Sequence, residues 1–437
     1  MLLLAGCSSQ SPEQLINKKP IYNEENYILF NKIKGVIPSI EQTATLPENS
    51  SEVSKINKID VDNNLKDEIV VFEKIQTILD DSEEETKDEI VVSLLCEDSS
   101  GYMQKVSTVV EEANYIKYAN FYDLNNDNIK EMVLVLRSKD KVNMYIYEIK
   151  DGNFNKIHSL NLSHLGIDRD LQDIRVEIID IDENNLLDMI ILSQNKSNSK
   201  INLTLIEYDK DFMVKDTILV PQIKTLNGVY MKVGKISSDR KGIIIDYPTL
   251  ESSSYNTDIL LFEDKKIVNL FDENYSILIK HHYIESVDIN DDGVLDFPVV
   301  DDENDTSSFK VDWYRYNNSI EFADMMFLNQ IYYNYNYSFK FIIQNNLVNK
   351  IEITEDHGSD FALIKFHFVE NFRYSELFSI NISNKTNIDD VDSKTKTNII
   401  IGENQNYTFT LLINNNEKFE ELNLSIDEIR KNFSYIN

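Results

Sequence analysis

Cysteine is nearly absent. Two cysteines in 437 residues exclude a disulfide scaffold, and six histidines beside them are too few for a Cys/His zinc array. Eleven glycines and seven prolines exclude a collagen-like chain. No stretch approaches the roughly 18 consecutive apolar residues that read as a membrane-spanning helix. Basic residues are scarce beside acidic ones, 43 against 75, leaving a formal charge of −32. That surplus repels phosphate backbones and anionic headgroups, so no nucleic-acid partner is expected. What the chain does have is 42% hydrophobic and 10% aromatic residues, enough to bury a sizeable core.

The chain opens M-L-L-L-A-G-C-S-S-Q. Leu4-Ala5-Gly6-Cys7 resembles the lipobox of bacterial lipoproteins, in which an apolar residue and two small ones fit the signal-peptidase cleft. The resemblance implies a diacylglycerol on Cys7 and a protein held at the extracytoplasmic face of the cell membrane. Little precedes Cys7, and no basic region, so residues 1–7 read as a truncated signal whose start is placed too late or trimmed. Residues 8–45, rich in Ser, Gln, Asn, Lys and Pro, read as a tether with one short helix at 24–34. Cys96, on the apolar run 90–96, is expected to be an inert buried thiol.

A repeat emerges when the acidic turns are aligned. D-V-D-N-N-L-K-D-E, D-L-N-N-D-N-I-K-E, D-I-D-E-N-N-L-L-D and D-I-N-D-D-G-V-L-D begin at Asp60, Asp123, Asp180 and Asp288. The last interval is close to twice the others, so a degenerate unit is expected near residue 234, where G-K-I-S-S-D-R-K-G has lost the acidic positions. Alternating segments precede the turns at 53–61, 115–124, 174–181, 230–236 and 283–289. Continuous apolar runs follow them at 69–72, 132–136, 189–192, 243–245 and 297–300, the pattern of strands buried on both faces. Third strands are expected at 143–149, 201–208, 258–262 and 309–316, and fourth strands at 154–160 and 267–271. Four strands per unit is the grammar of a β-propeller blade, which gives a mainly β chain with about five blades over residues 46–328. A β-solenoid and a string of sandwiches are the alternatives. Residues 80–89 read as a solvated acidic loop inserted in the first unit.

Side chains at positions 1, 3, 5 and 9 of a tight turn converge on a hard cation, with the carbonyl of residue 7 adding an oxygen. The candidate ligands are Asp60, Asp62, Asn64 and Glu68; Asp123, Asn125, Asp127 and Glu131; Asp180, Asp182, Asn184 and Asp188; and Asp288, Asn290, Asp292 and Asp296. Calcium suits such an all-oxygen cage better than magnesium. Position 6 calls for a left-handed backbone, so the Asp288 turn with Gly293 ranks best and the Asp60 turn with Leu65 worst. The plainer reading is a set of Asx turns whose side chains bond local N–H groups.

D-I-N-D-D-G-V-L-D-F-P and F-Y-D-L-N-N-D-N-I-K-E-M-V-L resemble the FG-GAP/VCBS-type repeats of calcium-loop propellers, seen also in integrin α-chain heads. With the lipobox in front and D-W-Y-R-Y behind, the chain is similar to Firmicute lipoproteins carrying such repeats. That resemblance spans about residues 1–330 and implies an extracytoplasmic propeller without fixing an activity.

From about residue 329 the pattern changes. Tyr333, Tyr335, Tyr337, Phe339 and Phe341 alternate with polar residues along one expected strand. Further strands are expected at 361–369, 377–382 and 407–413, and Ser425-x-x-Glu428 reads as a capping box opening a terminal helix. Residues 329–437 are therefore expected to form a small α+β domain. Catalytic motifs are missing: no G-x-S-x-G, no H-E-x-x-H and no phosphate-cradling glycine loop. His281 and His282 are expected on opposite strand faces, one packed and one solvated, and Glu355-Asp356-His357-Gly358 in a polar hairpin loop. The leading expectation is a lipid-anchored surface module that binds a protein or glycan, with no catalytic residue to name. The alternative is an envelope hydrolase or lyase with an acidic site in the propeller funnel.

Overall fold

The computed structural model describes residues 24–436 apart from 49–52, 79–85, 139–140, 151, 166–170, 197, 209–210, 250–253, 264–265, 271–277, 301–306, 319–324, 359–360 and 386–398. The lipobox with Cys7 and most of the acidic segment 80–89 lie outside the described residues. No helix among the described residues is long and apolar enough to cross a membrane.

The chain is mainly β, with six antiparallel sheets of four or five strands. The first holds Ile56–Ile59, Glu68–Ile78, Thr86–Glu97 and Met103–Glu112, paired in chain order. The second holds Tyr115–Tyr122, Glu131–Arg137, Val142–Lys150 and Asn153–Asn161, and the third Leu171–Ile179, Asp188–Asn195, Ile201–Tyr208 and Phe212–Leu219. Tyr230–Lys235, Lys241–Pro248, Tyr255–Glu263 and Lys266–Asn269 make the fourth, with Ile279–Lys280 added on Tyr255–Glu263. The fifth comprises Phe297–Val299, Ser308–Arg315, Met326–Asn334, Phe339–Ile343 and the C-terminal Phe433–Tyr435. The sixth orders its strands as Ile351–His357, Phe361–Glu370, Arg373–Asn384, Tyr407–Ile413 and Ile399–Glu403.

The apolar runs explain why the sheets lie face to face. Every residue of Asp188–Asn195 is buried, and so is all of Glu131–Arg137 except its last residue. Such strands are stable only with a neighbour on each side. The neighbours are consecutive sheets. Phe72 and Val92 of the first share a core with Leu134 and Tyr147 of the second. Val135 and Ile146 meet Ile191, Leu203 meets Ile245, and Ile244 meets Phe297 in the next three cores. Phe341 and Phe366 then join the fifth sheet to the sixth. Among the described residues no apolar cluster joins the sixth sheet back to the first.

Several expectations need correction. The helix Glu24–Val36 is more than part of a tether: Ile33, Ile37 and Ile40 are buried against Ile69, Val71 and Leu95 and cover the outer face of the first sheet. Residues 86–89, read as part of a loop, begin the strand Thr86–Glu97. The expected strand at 283–289 is irregular, keeping only the bridge between Val287 and Asp296. Its backbone is spent on a buried ion pair instead. Lys280 Nζ donates to Asp246 Oδ1 at 2.6 Å and to the carbonyl of Ile284 at 3.0 Å, while the Ser286 N–H donates to Asp246 Oδ2 at 3.0 Å.

The alternating aromatics at 333–341 form a hairpin, because the strand ends at Asn334 and the next begins at Phe339. Both strands complete the fifth sheet, so a boundary between 328 and 329 falls inside Met326–Asn334. His281 and His282 lie outside regular strands and both are half-buried. Of the expected capping box the N-cap half is present: Ser425 Oγ accepts the Glu428 N–H at 3.2 Å at the start of Ile426–Asn432, while the Glu428 carboxylate accepts from the Ser425 hydroxyl.

Asp258 sits in the core of the fourth sheet and accepts hydrogen bonds from Tyr247 Oη and Asn269 Nδ2, both at 3.2 Å. Burial pushes its pKa up to about 6, those two bonds opposing the shift. An ordinary aspartate titrates near ~3.9. The group's contribution to stability is therefore fully present below that value and is lost as pH rises through about 6. Asp258→Asn, whose amide still bonds both neighbours, is expected to flatten the pH dependence of the melting temperature between pH 4 and 7 and to raise it at pH 7.5. An unchanged profile by calorimetry contradicts this.

Candidate metal centres

Three of the acidic turns join the first strand of a sheet to the second, the Asp288 turn leads into Phe297–Val299 at the start of the fifth sheet, and the same wiring builds all four. The carboxylate at position 1 accepts the N–H groups of positions 5 and 6: Asp60 from Asn64 and Leu65, Asp123 from Asp127 and Asn128, Asp180 from Asn184 and Asn185, and Asp288 from Asp292 and Gly293. Position 5 accepts the N–H of position 7 each time, as Asn64 does from Lys66 and Asp292 from Val294. These bonds wind the backbone into two left-handed residues. They fall at position 4, with φ between 58° and 60°, and at position 6, with φ 67° at Leu65, 69° at Asn128, 68° at Asn185 and 84° at Gly293. The Asx-turn reading thus holds for all four corners, and it leaves room for a cation as well.

Position 9 is the buried end of the device. Glu68, Glu131, Asp188 and Asp296 are at most 8% exposed, and each accepts the N–H of position 2, from Val61, Leu124, Ile181 and Ile289 at 2.8–3.2 Å. Burial raises the Glu68 pKa, with Asp62 and Asp60 adding to it. Burial pushes Glu131 up to about 7, helped by Asp127 and Asp123. Asp188 also reaches about 7 through burial, aided by Asp182, Glu207 and Asp180. At these three corners burial and neighbouring carboxylates therefore disfavour the charged form of the position 9 group.

The corners lie side by side along one edge of the sheets. The Lys130 N–H donates to the Val61 carbonyl at 2.8 Å, Asn126 Nδ2 to the Asn185 carbonyl, Lys241 Nζ to the Asp180 carbonyl, and the Leu295 N–H to the Lys235 carbonyl. They differ in what they offer a cation. Two sets of three acidic side chains bring one oxygen each within 4.8 Å of one another: Asp60, Asp62 and Glu68, and Asp180, Asp182 and Asp188. An all-oxygen donor set of this kind fits calcium. At the Asp123 corner the amide of Asn125 donates to Glu131 Oε1 at 3.3 Å. The Asp288 corner is filled by Arg315, whose Nε donates to Asp296 and whose terminal nitrogens donate to Asp292. The degenerate unit has Gly242 at position 9, where a Cβ would sit 2.8 Å from the Leu260 carbonyl oxygen. A carboxylate has no room there.

The expected ranking of the corners is therefore reversed. Leu65 adopts the left-handed conformation without glycine, 91% exposed, and its corner converges; the corner with Gly293 holds a guanidinium. Sequence reasoning missed Arg315 and Glu207. Glu207 pairs with Asp188 across the ladder and accepts Asn184 Nδ2 at 2.8 Å. The signal for both was the residue on the third strand opposite position 9, which needs strand register to locate. Cys96 is half-buried beside the first corner, and burial, Glu68 and Asp62 raise its thiol pKa, so it stays protonated.

Two other polar clusters stand apart. An open cleft of about 660 Å³ is lined by Glu48, Tyr115, Lys117, Arg137 and Asp173. Lys117 is 4% exposed and pairs with both Glu48 and Asp173. At the junction of the fifth and sixth sheets, Glu355 accepts from Ser308, from Tyr332 Oη at 2.6 Å and from Asn334, with His357 Nε2 at 3.2 Å from its second oxygen. Glu355 is the shared acceptor there. His357 is not placed between the serine and the carboxylate, as nucleophile activation would require.

A left-handed leucine costs about 1–2 kcal/mol that glycine does not incur. Leu65→Gly is expected to raise stability by about 1 kcal/mol in urea unfolding, since the side chain is solvated and makes little packing. A loss of stability contradicts the turn geometry.

No family model and no curated protein matches the chain. Among solved structures it is similar to the rhamnogalacturonan lyase PL11 of Bacillus licheniformis, at 11% identity over 63% of this chain and 67% of that one, with a TM-score of 0.30. A likeness that shallow carries no argument about what this chain does.

Proposed function

We propose that the protein is a non-enzymatic binding module of the bacterial cell surface. In this reading Cys7 carries the lipid anchor, and propeller-type blades of FG-GAP/VCBS character present a surface to a protein or glycan ligand. Calcium at the Asp60 and Asp180 corners stiffens the edge where the blades meet. The observation that carries the reading is the row of identically wired corners, two of which bring three carboxylates together within reach of one ion. Calcium would be held by Asp60, Asp62 and Glu68, and by Asp180, Asp182 and Asp188. When bound, it supplies the positive charge that buried carboxylates need. The chain's own residues fix the loop backbone and exclude water from position 9.

An envelope hydrolase or lyase is the second reading. The cleft at Lys117 favours it, since two carboxylates, an arginine and a tyrosine meet there. It ranks second because Lys117 already engages both carboxylates.

The test is a thermal melt of the full chain after chelation, repeated with calcium. A ligand at a hundredfold its dissociation constant adds about 2.7 kcal/mol, so a rise of several degrees is expected. Asp188→Asn is expected to remove much of that rise. A melting temperature that ignores calcium retires the metal reading.

A further inference from the structure

Of the four acidic corners, the one at Asp288 does not fit a metal, and the reason lies on the neighbouring strand. The residue facing position 9 across the ladder differs from sheet to sheet. In the third sheet it is Glu207, paired directly with Asp188. In the first it is Cys96, one step beyond the Ile69–Leu95 pair, and in the second Glu148, one step beyond Met132–Tyr147. In the fifth it is Arg315, one step beyond Phe297–Tyr314. Three sheets set a neutral or acidic side chain there; one sets a cation.

The guanidinium is seated as a ligand-like group. Its Nε donates to Asp296 Oδ1 at 2.7 Å, and its two terminal nitrogens donate to Asp292 Oδ2 at 2.7 Å and Oδ1 at 3.0 Å. Asp292 is thus gripped by a two-pronged fork while the third nitrogen reaches the buried carboxylate, an arrangement a lysine ammonium cannot make. Arg315 is 12% exposed and Asp296 0%. Both oxygens of Asp292 and the outward oxygen of Asp296 are taken, leaving none of them for a metal.

We propose that Arg315 is a built-in counter-cation that fills the fifth-sheet corner permanently, so that this corner takes no calcium whatever the others bind. The proposal deepens the corner reading above: it divides the repeat into corners that wait for an ion and one that carries its own. The fifth sheet, which also receives the C-terminal strand Phe433–Tyr435, then keeps its corner closed when calcium is withdrawn.

Calcium titration calorimetry on the chelator-treated full chain tests it. Arg315→Gln is expected to bind one equivalent of calcium more than the unaltered chain, and adding Asp292→Asn to that variant is expected to remove the extra equivalent. Asp292→Asn alone is expected to leave the unaltered stoichiometry as it is. A folded Arg315→Gln variant with no added equivalent overturns the proposal, and so does a lost equivalent in Asp292→Asn alone. If Arg315→Gln folds only with calcium present, the corner's need for a cation is met as expected. If it folds in neither condition, the Asp292→Asn single variant decides by the same criterion. Should the unaltered chain bind no calcium, the reading of the Asp60 and Asp180 corners fails while a gain in Arg315→Gln still stands.

Discussion

A carboxylate buried at the far end of the acidic turn is the constraint around which four of the five units are built. It closes the turn by accepting the N–H of position 2, and it does so where water cannot follow. An isolated buried charge costs several kcal/mol, so something must compensate it. The sheets solve this differently. At Glu68 and Asp188 two further carboxylates converge, an arrangement that favours a divalent ion. At Glu131 burial lifts the group to about 7, so a proton becomes a competitive partner near neutrality. Arg315 brings a guanidinium to Asp296, and Gly242 dispenses with the carboxylate altogether. Where the acids are kept, one backbone design thus tolerates three chemistries, because the left-handed turn is fixed by positions 1 and 5, independently of what compensates the buried end.

The same economy of partners explains the fourth sheet, where the corner has lost its acids. Lys280 and Asp246 are 0% and 2% exposed, and together they collect Ile284, Ser286 and Thr257. Removing one member of such a pair strands the other at a cost of about 3–5 kcal/mol. The pair therefore fixes residues 281–286 against the fourth sheet where the ladder has ended. It adds to the corner link between the fourth and fifth sheets, the Leu295 N–H on the Lys235 carbonyl.

Much of this was legible in the residues. Asp at position 1, Asp or Asn at position 5 and an apolar run directly after position 9 specify a turn and a doubly buried strand, and Asp180 to Leu192 shows both within a few residues. Alternation misled in two places. Between Tyr333 and Phe341 the parity of the aromatics persists through a turn at residues 335–338, because a four-residue turn leaves the odd–even pattern unchanged. Along 283–289 the alternation is real, but the backbone groups are committed to Lys280 and Asp246, and periodicity says nothing about that. The corner's cation was illegible for another reason. Arg315 and Glu207 act across a ladder, and which residue faces position 9 is known only once the strands are paired.

The ends of the succession show how six sheets can stand with no apolar cluster, among the described residues, joining last to first. A repeated module with two apolar faces must be stopped by something that presents only one. At the start this is the helix Glu24–Val36 with Ile40, whose buried isoleucines cover the first sheet while its charged residues face outward. At the far end it is the sixth sheet itself. In Phe361–Glu370 burial alternates strictly from Ala362 to Phe368, Ile364 and Phe366 being fully buried and Lys365 and His367 only partly so, unlike the unbroken burial of Asp188–Asn195. Helix Ile426–Asn432 buries Ile429 in the same core, on the side already apolar. A strand that alternates in this way turns one side to solvent, so the sixth sheet presents a single apolar face, the one packed on the fifth.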